Sequence, residues 1–147
     1  VLECNERTAG RIRWVIQTRR TSKEFYLAKF NLPANVVFSD VSVYEAMATS
    51  DAHLTIYSTT AIESLAIGKP TFLFNYQDAS HTYLGYFLKN KVNVYFCNDS
   101  KDFAEALSSM KLVSIADVVA SNEDNISSGF ETNMNEYISK CHELHKG

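Results

Sequence analysis

The chain has few of the residues that interrupt or cross-link a fold: two prolines, five glycines and three cysteines among 147 residues. Cys4, Cys97 and Cys141 are odd in number, lie far apart and form no Cys-x-x-Cys pair. Neither a disulfide framework nor a structural zinc site is expected, and a reducing cytoplasm is the compartment that fits. Long apolar runs are missing as well. The stretches that exist, such as Thr71 to Phe74, are strand-length and far below the roughly 20 residues a membrane span requires. Positive charge is not in excess: 14 Lys and Arg against 17 Asp and Glu give a net charge of −3 and a pI of about 5.8. A broad basic face is thereby excluded, and with it sequence-independent binding to nucleic acid. The opening residues Val1 to Arg7 lack the charged-then-apolar order of a signal peptide. They also lack an initiator Met, which would suit an excerpt of a longer product.

No Gly-x-Ser-x-Gly elbow, Walker A loop or Gly-x-Gly-x-x-Gly fingerprint occurs, so the hydrolase, P-loop and dinucleotide readings lose their best support. There is no internal repeat, low-complexity tract or linker. With 46% hydrophobic and 12% aromatic residues, the length suits one domain with one core.

What is present is an alternation. Short runs rich in Val, Ile, Phe, Tyr or Thr read as strands at 13–18, 35–38, 53–57, 71–75 and 93–97. Several are apolar on both faces, as buried parallel strands are. Helices are expected over 22–30, 43–49, 60–67, 81–89 and 101–110, with a last one near 129–145. Leu2 to Ala9 reads as a helix ahead of the first strand, whose own upstream strand would then be missing. The order predicts a three-layer, Rossmann-like α/β domain over residues 1–147, with a mostly parallel sheet of about five strands and helices on both faces.

Ser50 to Asn75 holds the most informative pattern: strand, hydroxyl-rich turn, short helix and second buried strand. In an open parallel sheet, ligands sit outside the carboxyl ends of the strands. The turn Ser58-Thr59-Thr60 lies at such an end, with hydroxyl donors and a helix start that favour an anion. Glu63, one turn on, suits a neutral diol such as a ribose, which a carboxylate can grip by accepting two hydrogen bonds. The spacing leaves a second reading open, because Ser/Thr-x-x-Glu is also a capping box. The same pattern recurs at Thr21 with Glu24 and at Ser42 with Glu45. Gly68 and Pro70 end the helix and begin the next strand.

The run from Ser50-Asp51 through Thr55 to Glu63 and on to Gly68-Lys69-Pro70-Thr71 resembles the donor-binding, C-terminal half of GT-B glycosyltransferases and the related UDP-GlcNAc 2-epimerases. The likeness is nearest to transferases of capsule, teichoic-acid or sialic-acid polymers, and it extends loosely from about Arg13 to Leu107. It implies that Ser58, Thr59 and Thr60 face a donor diphosphate and that Glu63 faces the ribose. It also implies that the backbone of Ser39, Asp40 and Val41 lies near the base. The donor would be a UDP-sugar or a CDP- or CMP-linked substrate, with no cofactor and no essential metal. The acceptor domain that supplies a base in such enzymes has no counterpart here. No catalytic residue is therefore assigned, and the isolated chain is expected to bind without turning over. Gln17-Thr18-Arg19-Arg20-Thr21 departs from the family's basic-His-Pro sequence, leaving Arg19 and Arg20 as a solvated pair or as phosphate contacts.

Asp78 and His81 follow the next strand, where Asp78 could bind a sugar hydroxyl and His81 could act as acid or base. Alternatively Asp78 or Ser80 caps the helix. His53 reads as a hydrogen-bonded core residue, and Tyr83 to Leu88 as helix packing. Cys141, His142 and His145 make a weak metal signal. Asn98-Asp99-Ser100 and Asn125-Ile126-Ser127 match glycosylation sequons, idle in a cytoplasmic chain. A different class of function stays open: an α/β interaction or regulatory module without a working site. Its exposed apolar edge near Leu2 to Val15 would support a homodimer or docking to a separate N-terminal domain.

Overall fold

A computed structural model describes residues 1–19, 21–111 and 113–125. Strands β1 (Trp14–Ile16), β2 (Val36–Phe38), β3 (His53–Thr55), β4 (Thr71–Phe74) and β5 (Val94–Cys97) alternate with helices. The helices are α1 (Leu2–Arg7), α2 (Lys23–Lys29), α3 (Val43–Ala48), α4 (Thr60–Ala66), α5 (Ala79–Leu88), α6 (Ser100–Ser109) and α7 (Ile115–Ser121). Every strand pairing is parallel, as the βα alternation requires. The chain is thus α/β and Rossmann-like, but the single five-stranded sheet expected from the sequence is not what forms. The strands divide into a pair, β1-β2, and a trio, β3-β4-β5. The helix expected near 129–145, with Cys141, His142 and His145, lies outside the described residues.

Alternation along the strands sorts side chains onto two faces. Leu54, Phe72, Tyr95 and Cys97 join Trp14, Ile16 and Val36 in one apolar cluster, which Cys4 of α1 and Phe103 of α6 close from above. Phe103 spans the two sheets: its ring lies 5.6 Å from that of Trp14 in β1 and 5.0 Å from that of Phe72 in β4. The opposite face buries Leu73 of β4 under Ala61 and Leu65 of α4, Leu84 and Leu88 of α5, and Val118 of α7. Each of these large side chains contributes about 2 kcal/mol on burial. Among the described strands only β4, flanked on both sides, has both faces shut, with Thr71, Phe72 and Leu73 at 0–1% exposure. The residues of β3 are all half-buried, and Val15 at the centre of β1 is 40% exposed. Both strands are edges of their sheets: β1 where an apolar edge near Leu2 to Val15 was expected, and β3 against its reading as a buried strand.

Local chemistry fixes the connections. Asn5 Oδ1 accepts from Trp14 Nε1 at 3.0 Å and from Asn35 Nδ2 at 2.5 Å, which ties α1 to β1 and to the entry of β2. At the end of α4, Lys69 N–H donates to Ser64 O and Gly68 N–H to Leu65 O, with Gly68 at φ 75°. This is a Schellman closure, and it needs the left-handed conformation that glycine adopts without strain. Helix α7 was not expected from hydrophobic periodicity. Its signal was a box of its own, since Ser114 Oγ accepts from Asp117 N–H and donates to the Asp117 carboxylate. The cap of α2 is Ser22 rather than Thr21, because Ser22 Oγ is the atom that accepts from Phe25 N–H.

Candidate functional site at the carboxyl end of β3

The turn after β3 differs from the capped helix starts around it. Thr60 is not the cap of α4; Thr59 is, in a helical conformation and without a side-chain cap bond. The box expected from Thr60 and Glu63 does not form. Glu63 N–H instead donates to Thr59 O at 3.4 Å, and Ile62 N–H donates to the same oxygen at 2.9 Å. Thr60 Oγ1 lies 3.0 Å from His53 Nε2 and donates to Ser58 Oγ at 2.9 Å. Ser58 Oγ also accepts from Thr60 N–H at 3.3 Å.

These contacts set the direction of the protons. Burial holds His53 down to about 4, so its ring is neutral near pH 7. Because Thr60 spends its single hydroxyl proton on Ser58, it accepts from His53 Nε2–H, which fixes the Nε2 tautomer. Ser58 Oγ takes two donors and has its own proton left to give. The relay runs from His53 through Thr60 and ends at Ser58 as an O–H donor. Among the described residues no partner is assigned to the N–H groups of Ser58 and Thr59, and Thr59 is exposed. The donors at this mouth are therefore two hydroxyls and two backbone amides just before the helix. The first-turn amides expected from a bare helix start are engaged inside the chain.

Glu63 supplies the other half. Tyr44 of α3 donates its phenol proton to the Glu63 carboxylate, which brings the segment following Ser39, Asp40 and Val41 against the start of α4. Oε2 of Glu63 is buried and, among the described residues, without a hydrogen-bond partner. Burial raises the Glu63 carboxyl above its ordinary range, the Tyr44 bond pulling the other way. The carboxylate in turn holds the Tyr44 phenol above its own. A buried oxygen without a donor is costly, by about 1–3 kcal/mol. An incoming hydroxyl donor would relieve that cost.

The remaining candidates fall elsewhere. Ser39 Oγ closes a small turn with Val41 N–H at 3.3 Å, Asp40 is exposed, and Val41 is 36% exposed. Asp78 is exposed in a left-handed conformation beside left-handed Gln77, and accepts from Asn75 Nδ2 at 3.2 Å. Asp78 holds the cap position of α5 but makes no side-chain cap bond, and Ser80 lies inside the helix, which begins at Ala79 rather than at His81. Asn75 supplies the bond instead, its Oδ1 accepting from Ser80 Oγ and from His81 N–H. Asn75 Nδ2 also reaches Asn98 Oδ1 at 3.1 Å and joins the ends of β4 and β5. No contact places Asp78 against Ser58, Thr60 or Glu63. His81 stacks on Phe96 with ring centroids 4.5 Å apart. Asn98 Nδ2, the sequon nitrogen, donates to Asp102.

Packing of α5 rests on Leu84 and Leu88, not on its aromatic residues as the sequence suggested: Tyr83 is 63% exposed and Tyr86 93%. Tyr83 instead pairs with Tyr57, the residue before Ser58, at 5.4 Å. The sequence offered no periodic signal for this pair, nor for Tyr44. Arg19 is exposed, and Arg20 lies outside the described residues. Among the described residues no group of three metal-ligating side chains occurs, and no helix is long and apolar enough to cross a membrane. No family model, curated protein or solved structure matches the chain.

Proposed function

We propose that this domain binds a nucleoside diphosphate or nucleotide-sugar at the carboxyl end of β3, as the donor-binding part of a glycosyltransferase-like protein. The observation that carries the reading is the Glu63 carboxylate on α4, the helix that begins with the hydroxyl turn: Tyr44 of α3 bonds to it, yet its buried Oε2 has no hydrogen-bond partner among the described residues. An acceptor pair of this kind suits the two hydroxyls of a ribose. Ser58 O–H and the free amides beside it suit phosphate oxygens, which offer acceptors only. Positive charge is absent from these contacts, so affinity would rest on oriented donors rather than on ion pairs. Stabilising the departing diphosphate would promote transfer once a base and an acceptor are supplied. The domain by itself binds and does not transfer.

The test is a thermal-shift screen with UDP, CDP, CMP and UDP-linked sugars, since a ligand that binds only the folded state raises its apparent stability. A rise with at least one of them, lost in Ser58→Ala and in Glu63→Gln, is the expected result. No shift with any nucleotide would defeat the reading. It would favour an interaction module instead, for which the 40% exposure of Val15 on an apolar edge is the supporting observation.

A further inference from the structure

The division of the strands into a pair and a trio has a geometric cause. In the parallel pair, Trp14 N–H donates to Asn35 O and Ser39 N–H to Ile16 O, so Trp14 and Ile16 address β2. The backbone N–H and C=O of Val15, between them, must face the other way. On β3, His53 N–H donates to Pro70 O, so His53 and Thr55 address β4 and the backbone of Leu54 faces away. Among the described residues neither Val15 nor Leu54 has a backbone partner on that side. Yet both strands lie under one helical layer, since Ile16 and Leu54 pack on the same cluster and Phe103 touches both sheets.

Handedness says what belongs at the free edge of β1. Tyr26 of α2 packs on Phe38 at 6.0 Å. Phe38 shares the face of Val36, which lies in the cluster that α1 closes. Helices α1 and α2 therefore cover the same face of β1 and β2. Crossovers between parallel strands are right-handed in nearly all cases. The step from β1 through α2 to β2 moves one position along the sheet, and a strand feeding β1 through α1 must make the same step in the same direction. It lies beside β1 on the side away from β2. On the opposite face, α4 and α5 carry the chain from β3 to β5. Winding on that face reverses, as in a doubly wound sheet.

We propose that β1-β2 and β3-β4-β5 are two parts of one doubly wound sheet with a single strand position between β1 and β3. Its occupant is an extended polypeptide segment, apolar on both faces and parallel to its neighbours, in the place of a strand that feeds α1. Helices lie over both faces of the sheet, which is why the segment must be aliphatic throughout rather than alternating. Its backbone pairs with Val15 on one side and Leu54 on the other. The resulting order, β2-β1-inserted-β3-β4-β5, places the reversal of winding beside β3. Ser58 and Glu63 then lie at the crevice where such sheets take ligands. The proposal concerns the sheet and does not rest on the nucleotide reading.

The test compares the full chain with two versions extended ahead of Val1. One carries a Val- and Ile-rich segment with a short polar turn, and the other the same segment with proline at alternate positions. Amide exchange is followed by NMR without ligand. Trp14 and His53, already bonded in their ladders, should be protected in all three proteins and report that the fold is intact. Val15 and Leu54 should exchange rapidly in the unextended chain, slow at least tenfold with the aliphatic extension, and stay rapid with the proline one. Exchange at Val15 and Leu54 that the aliphatic extension leaves unchanged would overturn the proposal. So would equal protection by the proline version. Protection already present in an unextended chain that runs as a dimer would also overturn it, giving the position to a second copy. The aliphatic segment added as a free peptide provides a second measurement if the extended protein loses protection at Trp14. Slower exchange at Val15 and Leu54 would then uphold the strand position, and unchanged exchange would overturn it.

Discussion

Helix α3 begins at Ser42-Val43-Tyr44-Glu45 and α4 at Thr60-Ala61-Ile62-Glu63, with a hydroxyl and a carboxylate three residues apart in both. In α3, Ser42 Oγ accepts from Glu45 N–H at 3.2 Å and the cap closes. In α4 the hydroxyl is already committed to Ser58 and His53, and the carboxylate is taken by Tyr44. One pattern thus serves local helix stability in the first place and a polar cluster between elements in the second. The difference comes from neighbours on other elements. His53 lies on the strand before α4, and Tyr44 on α3 itself. Where such partners exist, a side chain that would otherwise cap the backbone is drawn off into tertiary contacts.

The carboxyl ends of the two helices offer the largest way to sharpen this contrast. Helix α3 ends on Thr49 in an ordinary helical conformation, φ −86° and ψ −4°. Beyond α4, Gly68 has φ 75°, and a Cβ there would sit 2.5 Å from Ile115 Cγ1 of α7. Gly68→Ala combines left-handed strain of about 1–2 kcal/mol with displacement of α7, so a loss of about 3 kcal/mol is expected in urea denaturation. Thr49→Ala should cost less than about 1 kcal/mol. Equal losses would show that α7 does not hold the end of α4.

The next effect is on pH. The unfolded His53 takes up a proton near 6.5, whereas the folded one resists until about 4. Its contribution is therefore complete above pH 6.5 and is lost as the pH falls toward 4, by roughly 2–3 kcal/mol. Glu63 works with the opposite sign. Its folded carboxyl is raised by burial, so acidification through that raised value returns stability. Denaturation at pH 7.5, 6 and 5 should show a decline that His53→Gln flattens and Glu63→Gln steepens. A profile unchanged by His53→Gln would mean that the ring is not buried neutral. Thr60→Val follows at about 1–2 kcal/mol, because it strands the His53 Nε2–H while keeping the shape of the side chain. Ser42→Ala is its counterpart on α3, at about 1 kcal/mol from the lost cap.

Alternation of β-branched runs with helical stretches was enough to locate all five strands to within two residues at either end, because apolar residues bounded by turn chemistry carry that information locally. The hydrogen-bonded state of His53 was legible for the same reason, as a lone histidine inside an apolar strand; its neutrality follows from the burial seen in the structure. Division of the sheet was not legible: whether a strand is flanked on one side or both depends on neighbours across the sheet, and although an apolar edge near Leu2 to Val15 was expected, β3 read as buried like β4. Within the candidate site, Ser58, Thr59, Thr60 and Glu63 were singled out by their spacing and by the resemblance. Tyr44 was missed because its contact joins two helices 19 positions apart in sequence, as 44 and 63. The bond from the first turn of α5 to Asn75 was overlooked because two left-handed residues, Gln77 and the cap residue Asp78, bring Asn75 within reach over a distance that no regular capping pattern spans.

The smallest expected change in stability is at Thr59, and it separates the two helix starts most cleanly. Thr59 holds the cap position of α4, is exposed, and makes no side-chain cap bond. If the start of α4 served helix stability as that of α3 does, Thr59→Ala would cost about the same as Ser42→Ala. With no cap bond to lose, Thr59→Ala should instead stay within about 0.5 kcal/mol of the parent protein. Its hydroxyl would be spent only on a ligand, where one hydrogen bond to a charged phosphate is worth about 1.5–3 kcal/mol. Calorimetry should therefore show a loss of about tenfold or more in nucleotide affinity, at unchanged midpoint of urea denaturation. A loss of stability without a loss of affinity would return Thr59 to the role that Ser42 plays.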